Sequence, residues 1–251
     1  MRTIVSIAAA LALLHAGAAG AAGIKVISST GVSTVMKELK PAYEKSSGNQ
    51  LDISYDTSAI IMERVKKGET ADLIILTGPQ IEALAKQGKV VAGSRADLAR
   101  SGIGVAIRTG APKPDISTVD AFKKTLLNAK SVTYTTTGAS GVYFSGVIEK
   151  LGIAPQVQAK AKTQAGGHVA ELVATGDAEI GVQMESELRG TPGADYLGPL
   201  PGELQMYTVF SAGLFEGTRQ AEAAKTLIRF LTSPEAGRAF AKGGMEPAAG
   251  R

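Results

Sequence analysis

From Ile24 onward, short apolar runs alternate with stretches whose apolar residues recur every three or four positions. IKVISS at Ile24–Ser29 places Ile24, Val26 and Ser28 on one face and predicts a strand. TGVSTVMKELKPAYEKSSG then spaces Val32, Val35, Met36, Leu39 and Tyr43 along a helix, with Pro41 expected to kink or interrupt its last turn and Gly48 to end it. LDISYDTS predicts a strand ending at Asp56, followed by a helix over 58–67. ADLIILTG is apolar throughout, as in a parallel strand covered on both faces, and a helix over 79–87 follows. Strands alternating with helices at this spacing predict an open α/β sheet.

The alternation continues. SGIGVAIRTGAP at 101–112 predicts a strand crossing into a second domain, and a helix over 119–127, the strand SVTYT, helices over 141–151 and 168–174, and the strand AEIGVQM at 178–184 repeat the plan. Residues 195–204 are rich in proline and glycine, so they predict a connection. A strand over 204–214 carries the chain back, and TRQAEAAKTLIRFLTSPEAGRAFAKGG predicts one terminal helix with Ala224, Leu227, Ile228 and Leu231 on its buried face. Together these predict domain one from residues 23–102 and 207–251, domain two from 103–206, and two crossings near Ser101–Gly104 and Leu204–Thr208.

Residues 1–22 follow a different pattern. Arg2 precedes the apolar stretch Ile4–Leu14, and GAAGAAG supplies small residues for cleavage after Ala22, so the segment reads as a signal peptide that leaves a mature chain beginning at Gly23. No cysteine stands nearby to take a lipid. The whole 251-residue chain has none, which excludes disulfides and thiolate metal sites. Its 27 Lys and Arg against 23 Asp and Glu give a formal charge of +4, spread along a chain without tryptophan, so a nucleic-acid groove is not predicted.

Candidate chemistry lies where strands meet helices. Ser28, Ser29, Thr30, Gly31 and Ser33 occupy the first junction, Thr57 and Ser58 the second, and TTTGASG at 135–141, with Thr137 and Ser140, another. QAGGHVAEL adds Gly166, Gly167 and His168. Helix N-termini offer free N–H groups, and short hydroxyls can donate to an anion held there. Each residue also suits an ordinary helix cap or turn, and convergence on one cleft is what separates the two accounts.

The stretches IKVISSTGVSTVMKELKPAYEKSSG, ISYDTSAIIMERVKKGETADLIILTG, TTTGASGVYFSGVIEKLGI, LVATGDAEIGVQMESEL and FLTSPEAGRAFAKGG resemble, in order and separation, the type II periplasmic solute-binding proteins of ABC transporters, above all the molybdate-binding branch. The resemblance implies a two-domain α/β periplasmic binding protein type II fold with its ligand cleft between the domains. It also implies a monomer in the periplasm that passes a small anion to a membrane permease, with no cofactor, no metal and no nucleic acid. The site residues it suggests are Ser29, Thr30, Thr57, Ser58, Thr137, Ser140, Gly166, His168 and Gln183, with Ser140 at the position that approaches the ligand. Two departures stand out: Gly31 replaces a ligand-donating serine, with Ser29 or Thr30 open as substitutes, and Met184 stands where a ligand-facing tyrosine is expected. Met184 is expected to pack against ligand carbon atoms, which leaves molybdate, tungstate, sulfate, phosphate, phosphonates and small carboxylates open as cargo.

Arg64, Arg100 and Arg108 are the arginines whose positions could bring them near the cleft, and Lys25 is expected at the surface. Catalytic signatures are weak. The mature chain holds one histidine, GVYFSG is not a nucleophile elbow, and Glu185 and Glu187, two apart, read as a solvated face. The expected role is therefore binding, with a secreted enzyme acting on a small anion as the alternative.

Overall fold

A computed structural model describes residues 22–248. The predicted leader, apart from Ala22, lies outside the described residues. The first strand, β1 (Gly23–Ser29), is followed by a 3-10 turn at Thr30–Val32 and by α1 (Ser33–Ser47). Pro41 lies inside α1, which continues to Ser47 instead of breaking, and Gly48 ends it at φ 73°, a conformation glycine adopts without a Cβ penalty. Then come β2 (Gln50–Asp56), α2 (Ser58–Lys66), β3 (Leu73–Thr77) and α3 (Gly78–Lys86). β1 pairs in parallel with β2 and β3, whereas β3 runs antiparallel to the returning strand described below.

Strand β4 (Ala96–Arg108) starts earlier than the sequence pattern predicts and serves two sheet regions. Beyond it lie α4 (Val119–Asn128), β5 (Val132–Thr133), α5 (Ala139–Lys150), the short α6 (Ala154–Gln158), α7 (Val169–Thr175), β6 (Ile180–Met184) and α8 (Glu185–Leu188). β7 (Ala194–Pro199) occupies the segment expected as a connection, and β8 (Tyr207–Leu214) carries the chain back. The strand order is β2-β1-β3-β8-β4-β6-β5, with β7 also pairing β4. From Ala96 to Gly102, β4 pairs with β8; from Ile103 onward it pairs with β6, and from Gly104 with β7. At the change of partner the Gln205 side chain clamps Ile103, accepting from its N–H and donating to its carbonyl, each at 2.9 Å.

Burial follows the same division. Ile24, Val26, Leu39, Leu73, Phe210, Leu227 and Phe240 belong to one core, with Ile27, Ile61, Ile74 and Leu76 in another cluster. Ile103, Val105, Phe122, Phe144, Ile180 and Val182 form a separate core. The terminal segment is two helices, α9 (Ala221–Leu231) and α10 (Pro234–Lys242), followed by β9 (Glu246–Pro247). The predicted single helix is broken because Ser233 caps a new start, accepting from Ala236 N–H at 3.3 Å, and Pro234 cannot donate into the preceding turn. Both helices still bury their apolar faces in the first core. No helix among the described residues is long and apolar enough to cross a membrane.

Candidate anion site

The first half of the site forms where β1 and β2 deliver their C-terminal ends to helix starts. Ser29 is buried and accepts from Gly31 N–H at 3.3 Å and from the Ser58 hydroxyl at 3.1 Å. With those acceptor positions taken, its own proton is what remains to donate. Thr57 precedes α2 but makes no side-chain cap bond, so helix capping does not explain its hydroxyl. That oxygen lies 2.9 Å from the Thr137 hydroxyl on the opposite side of the seam. Since Thr137 donates to Ala165 O at 2.5 Å, Thr57 supplies the proton between the two hydroxyls.

The second half is built around the start of α5. Ser140 is buried in its first turn, preceded by Gly138 at the N-cap. Gly141 is dictated by contact: a Cβ there would stand 1.7 Å from the Thr135 carbonyl oxygen. A Cβ at Gly166 would approach the Thr57 methyl group at 2.8 Å, so this turn also closes on the first half. His168 spans the seam, with Nε2 3.4 Å from the Ser33 hydroxyl and Nδ1 3.1 Å from Glu187 O. Gln183 is buried, accepting from Val169 N–H at 2.9 Å and donating to Gly167 O at 2.7 Å, an arrangement that fixes the glycine turn and the start of α7.

Several expectations change. Met184 is buried in the second core, so it is not presented to carbon atoms of a ligand as expected. A Cβ at Gly31 would lie 2.2 Å from the Phe210 ring, which explains why serine is not accommodated there without moving Phe210. Arg64 is held by Glu69 at 2.6 Å and lies near Asp56, while Arg100 pairs with Glu246 and stacks on Tyr207. Arg108 lies beside Gly176. These arginines are placed outside the hydroxyl cluster, whose donors are neutral.

Glu187 is the largest correction to the solvated-face expectation. It is only 5% exposed, whereas Glu185 is half-buried and pairs with Arg189 at 2.7 Å. Glu187 is the third residue of α8. Burial pushes its carboxyl up to about 7, against a smaller opposing effect of the nearby Thr30 side chain and Met184 backbone. Next to it, Ser186 donates to Gly31 O at 2.7 Å. The sequence signal was present, an acidic residue three positions past a strand end, but its helix is a single short turn and the spacing matched an exposed pair equally well.

The seam therefore brings uncharged hydroxyls and helix starts together from both sides. Residues 24–246 match the family described as bacterial extracellular solute-binding protein, and the chain belongs to that family. It is a periplasmic type II solute-binding protein related to the molybdate-binding branch, and the fold is the corresponding two-domain α/β architecture. The family's description is of solute binding, and the coarse role that follows for this chain is to bind a small anion for ABC-transporter uptake.

Among relatives, an aconitate isomerase from a Pseudomonas species is 38% identical over 89% of this chain and 87% of its own length. A molybdate-binding protein from Azotobacter vinelandii is 26% identical over 89% of each. The solved periplasmic molybdate-binding protein of Azotobacter vinelandii superposes with a TM-score of 0.75 at 18% identity, covering 88% of this chain and 98% of that one.

Proposed function

We propose that this protein captures a small organic anion bearing more than one carboxylate and delivers it to an ABC permease. The observation that carries the reading is the uncharged hydroxyl cluster split across the seam: Ser58 bonds Ser29 on one side, leaving the Ser29 proton free, and Thr57 bonds Thr137 across to the other, with the buried Ser140 in the first turn of α5. Backbone N–H groups and hydroxyls hold an anion through charge-assisted hydrogen bonds without a matching cation. Gly31 under Phe210 and the buried Met184 remove two donors that a small tetrahedral oxyanion would use, and the 38% relative named for aconitate supports a carboxylate. The proposed domains are residues 23–102 with 207–251, and 103–206, hinged where Gln205 clamps Ile103. The working form is proposed to be a monomer.

A thermal-shift screen of di- and tricarboxylates, sulfate, phosphate, molybdate and tungstate, with calorimetry on the hits, tests the reading. At a ligand concentration of about 100 Kd the gain is about 2.7 kcal/mol, or roughly 5–10 °C in Tm for a chain of this size. Tight tungstate or molybdate binding with no organic-anion binding would replace the cargo.

A second reading, favoured by the same relative's name, is that the chain isomerises a tricarboxylate by moving a proton between carbons. Incubating cis-aconitate with the protein and following the vinyl resonances by NMR separates the two readings. Catalytic conversion to the trans isomer supports the isomerase, and binding without conversion supports the carrier.

A further inference from the structure

We infer that Thr57, Thr137 and Gly166 form a latch that shuts the seam by protein–protein contact, with both threonine hydroxyls serving closure instead of touching the anion; this rests on the carrier reading only for what the seam encloses. Thr137 gives its proton to Ala165 O at 2.5 Å, so the 2.9 Å contact between the two threonine oxygens takes its proton from Thr57. Both protons are then committed. What either oxygen has left to present to an incoming anion is lone pairs, which repel it. Ser29 differs, because it accepts from Gly31 N–H and from Ser58 and keeps its own proton.

Each side of the latch is built by its own half. In the second half, residues 135–137 and 164–166 are joined independently of Thr57: Thr135 pairs with Gln164 in a parallel bridge, Thr136 N–H donates to Gln164 O at 2.8 Å, and Thr137 N–H donates to Ala165 O at 3.2 Å. Ala165 O therefore receives both the backbone and the hydroxyl of Thr137, which leaves the Thr137 oxygen as the acceptor for Thr57. In the first half, Thr57 N–H donates to Asp56 Oδ1 at 2.9 Å and Thr57 O accepts from Ile61 N–H at 3.0 Å, so its backbone is pinned at the start of α2. Its side chain is 3% exposed although it makes no cap bond. The methyl group lies against Gly166, where a Cβ would come within 2.8 Å. Gly166 does not have a positive φ, so the fit against Thr57, and not the backbone conformation, is what calls for glycine. None of these contacts runs through a ligand. They favour the closed arrangement with or without an anion, and every anion that needs closure gains from them by the same factor.

The chain has no cysteine, so Lys67→Cys and Lys150→Cys, both at exposed positions at the far ends of α2 and α5, place two spin labels whose separation reports opening of the full mature chain. The ligand-free protein is expected to show a short, closed component, and Thr57→Val, which removes the hydroxyl at nearly constant volume, should lower the closed-to-open ratio about twofold to tenfold. Gly166→Ala should lower it as well. Adding Thr57→Ser, which removes the methyl group and keeps the hydroxyl, should restore it, and this pair decides the case if Thr57→Val does not fold. Calorimetry with trans-aconitate, citrate and molybdate gives a second readout: Thr57→Val should weaken every anion that binds by one common factor. An equal closed fraction in the unsubstituted protein and folded Thr57→Val overturns the inference, as does a failure of Thr57→Ser to rescue Gly166→Ala. A loss of affinity confined to one anion also overturns it, because the hydroxyl would then be a ligand donor. Failure of all three anions to bind folded protein, with the closed fraction still falling in Thr57→Val, overturns the proposed cargo class and upholds the latch.

Discussion

Ser58 and Ser140 expose the difference between a cap and a ligand donor. Ser58 gives its proton to Ser29 and so acts on an anion by orienting the Ser29 hydroxyl, and Ser140 is buried in the first turn of α5; either change to alanine removes one hydroxyl without opening a large cavity. Each substitution is expected to weaken anion binding by about 1–3 kcal/mol by calorimetry with a much smaller change in Tm. Loss of stability with affinity unchanged would identify a cap. Glu187 gives a second prediction, with a definite sign. Its folded-state value is raised to about 7 from 4.5, so the folded protein holds a proton that the unfolded chain has released over that interval. Stability is therefore expected to fall as pH rises from about 4.5 to about 7, by at most roughly 3 kcal/mol, and then to level off. Urea melts of the ligand-free protein across this range, compared with Glu187→Gln, would show the decline flattened in the variant; identical profiles would refute the assignment.

At the scale of elements, the turn before α5 is held by contact between Gly141 and the Thr135 carbonyl. A methyl group at Gly141 must displace backbone, because the clashing atom is a carbonyl oxygen 1.7 Å away and cannot rotate aside. Gly141→Ala is expected to cost more than about 3 kcal/mol, or to move α5 enough to abolish binding, whereas Gly146→Ala on the same helix, with open space around it, should be neutral or stabilising. Chemical denaturation of the pair checks this. The sequence made α5 and its glycines legible because a hydroxyl-rich turn preceded an apolar period of three and four. It also indicated β1, β3 and β6, whose apolar runs match buried strands. The break between α9 and α10 was less clear, since their apolar stripes continue with nearly the same phase and only Ser233-Pro234 marks the new start. β7 was hidden by glycine and proline, and its pairing depends on the distant strand β4. Glu187 was missed for a related reason: its burial is set by the tertiary packing of α8, which no local pattern encodes.

For the whole molecule, the division of the donors matters more than any one of them. β4 passes from one set of partners to the other at Gly102 and Ile103, and the donors closest to the seam, Thr57 and Thr137, come from opposite sides of that crossing. An anion held by both halves stabilises the closed arrangement by its preference for that form, and neither half alone supplies the preference. This makes a prediction about coupling. Ser58→Ala and Ser140→Ala lie in different halves, and their effects on folding stability should add within about 0.5 kcal/mol because the side chains have separate surroundings. Their effects on anion affinity should not add, because each donor's contribution depends on closure that the other helps to secure; the expected coupling exceeds about 0.5 kcal/mol. Calorimetry on both single variants and the double variant, with denaturant melts of the same four proteins, completes the cycle. Additive losses of affinity would mean that the anion sits in one half of the seam, and the two-sided site would have to be abandoned.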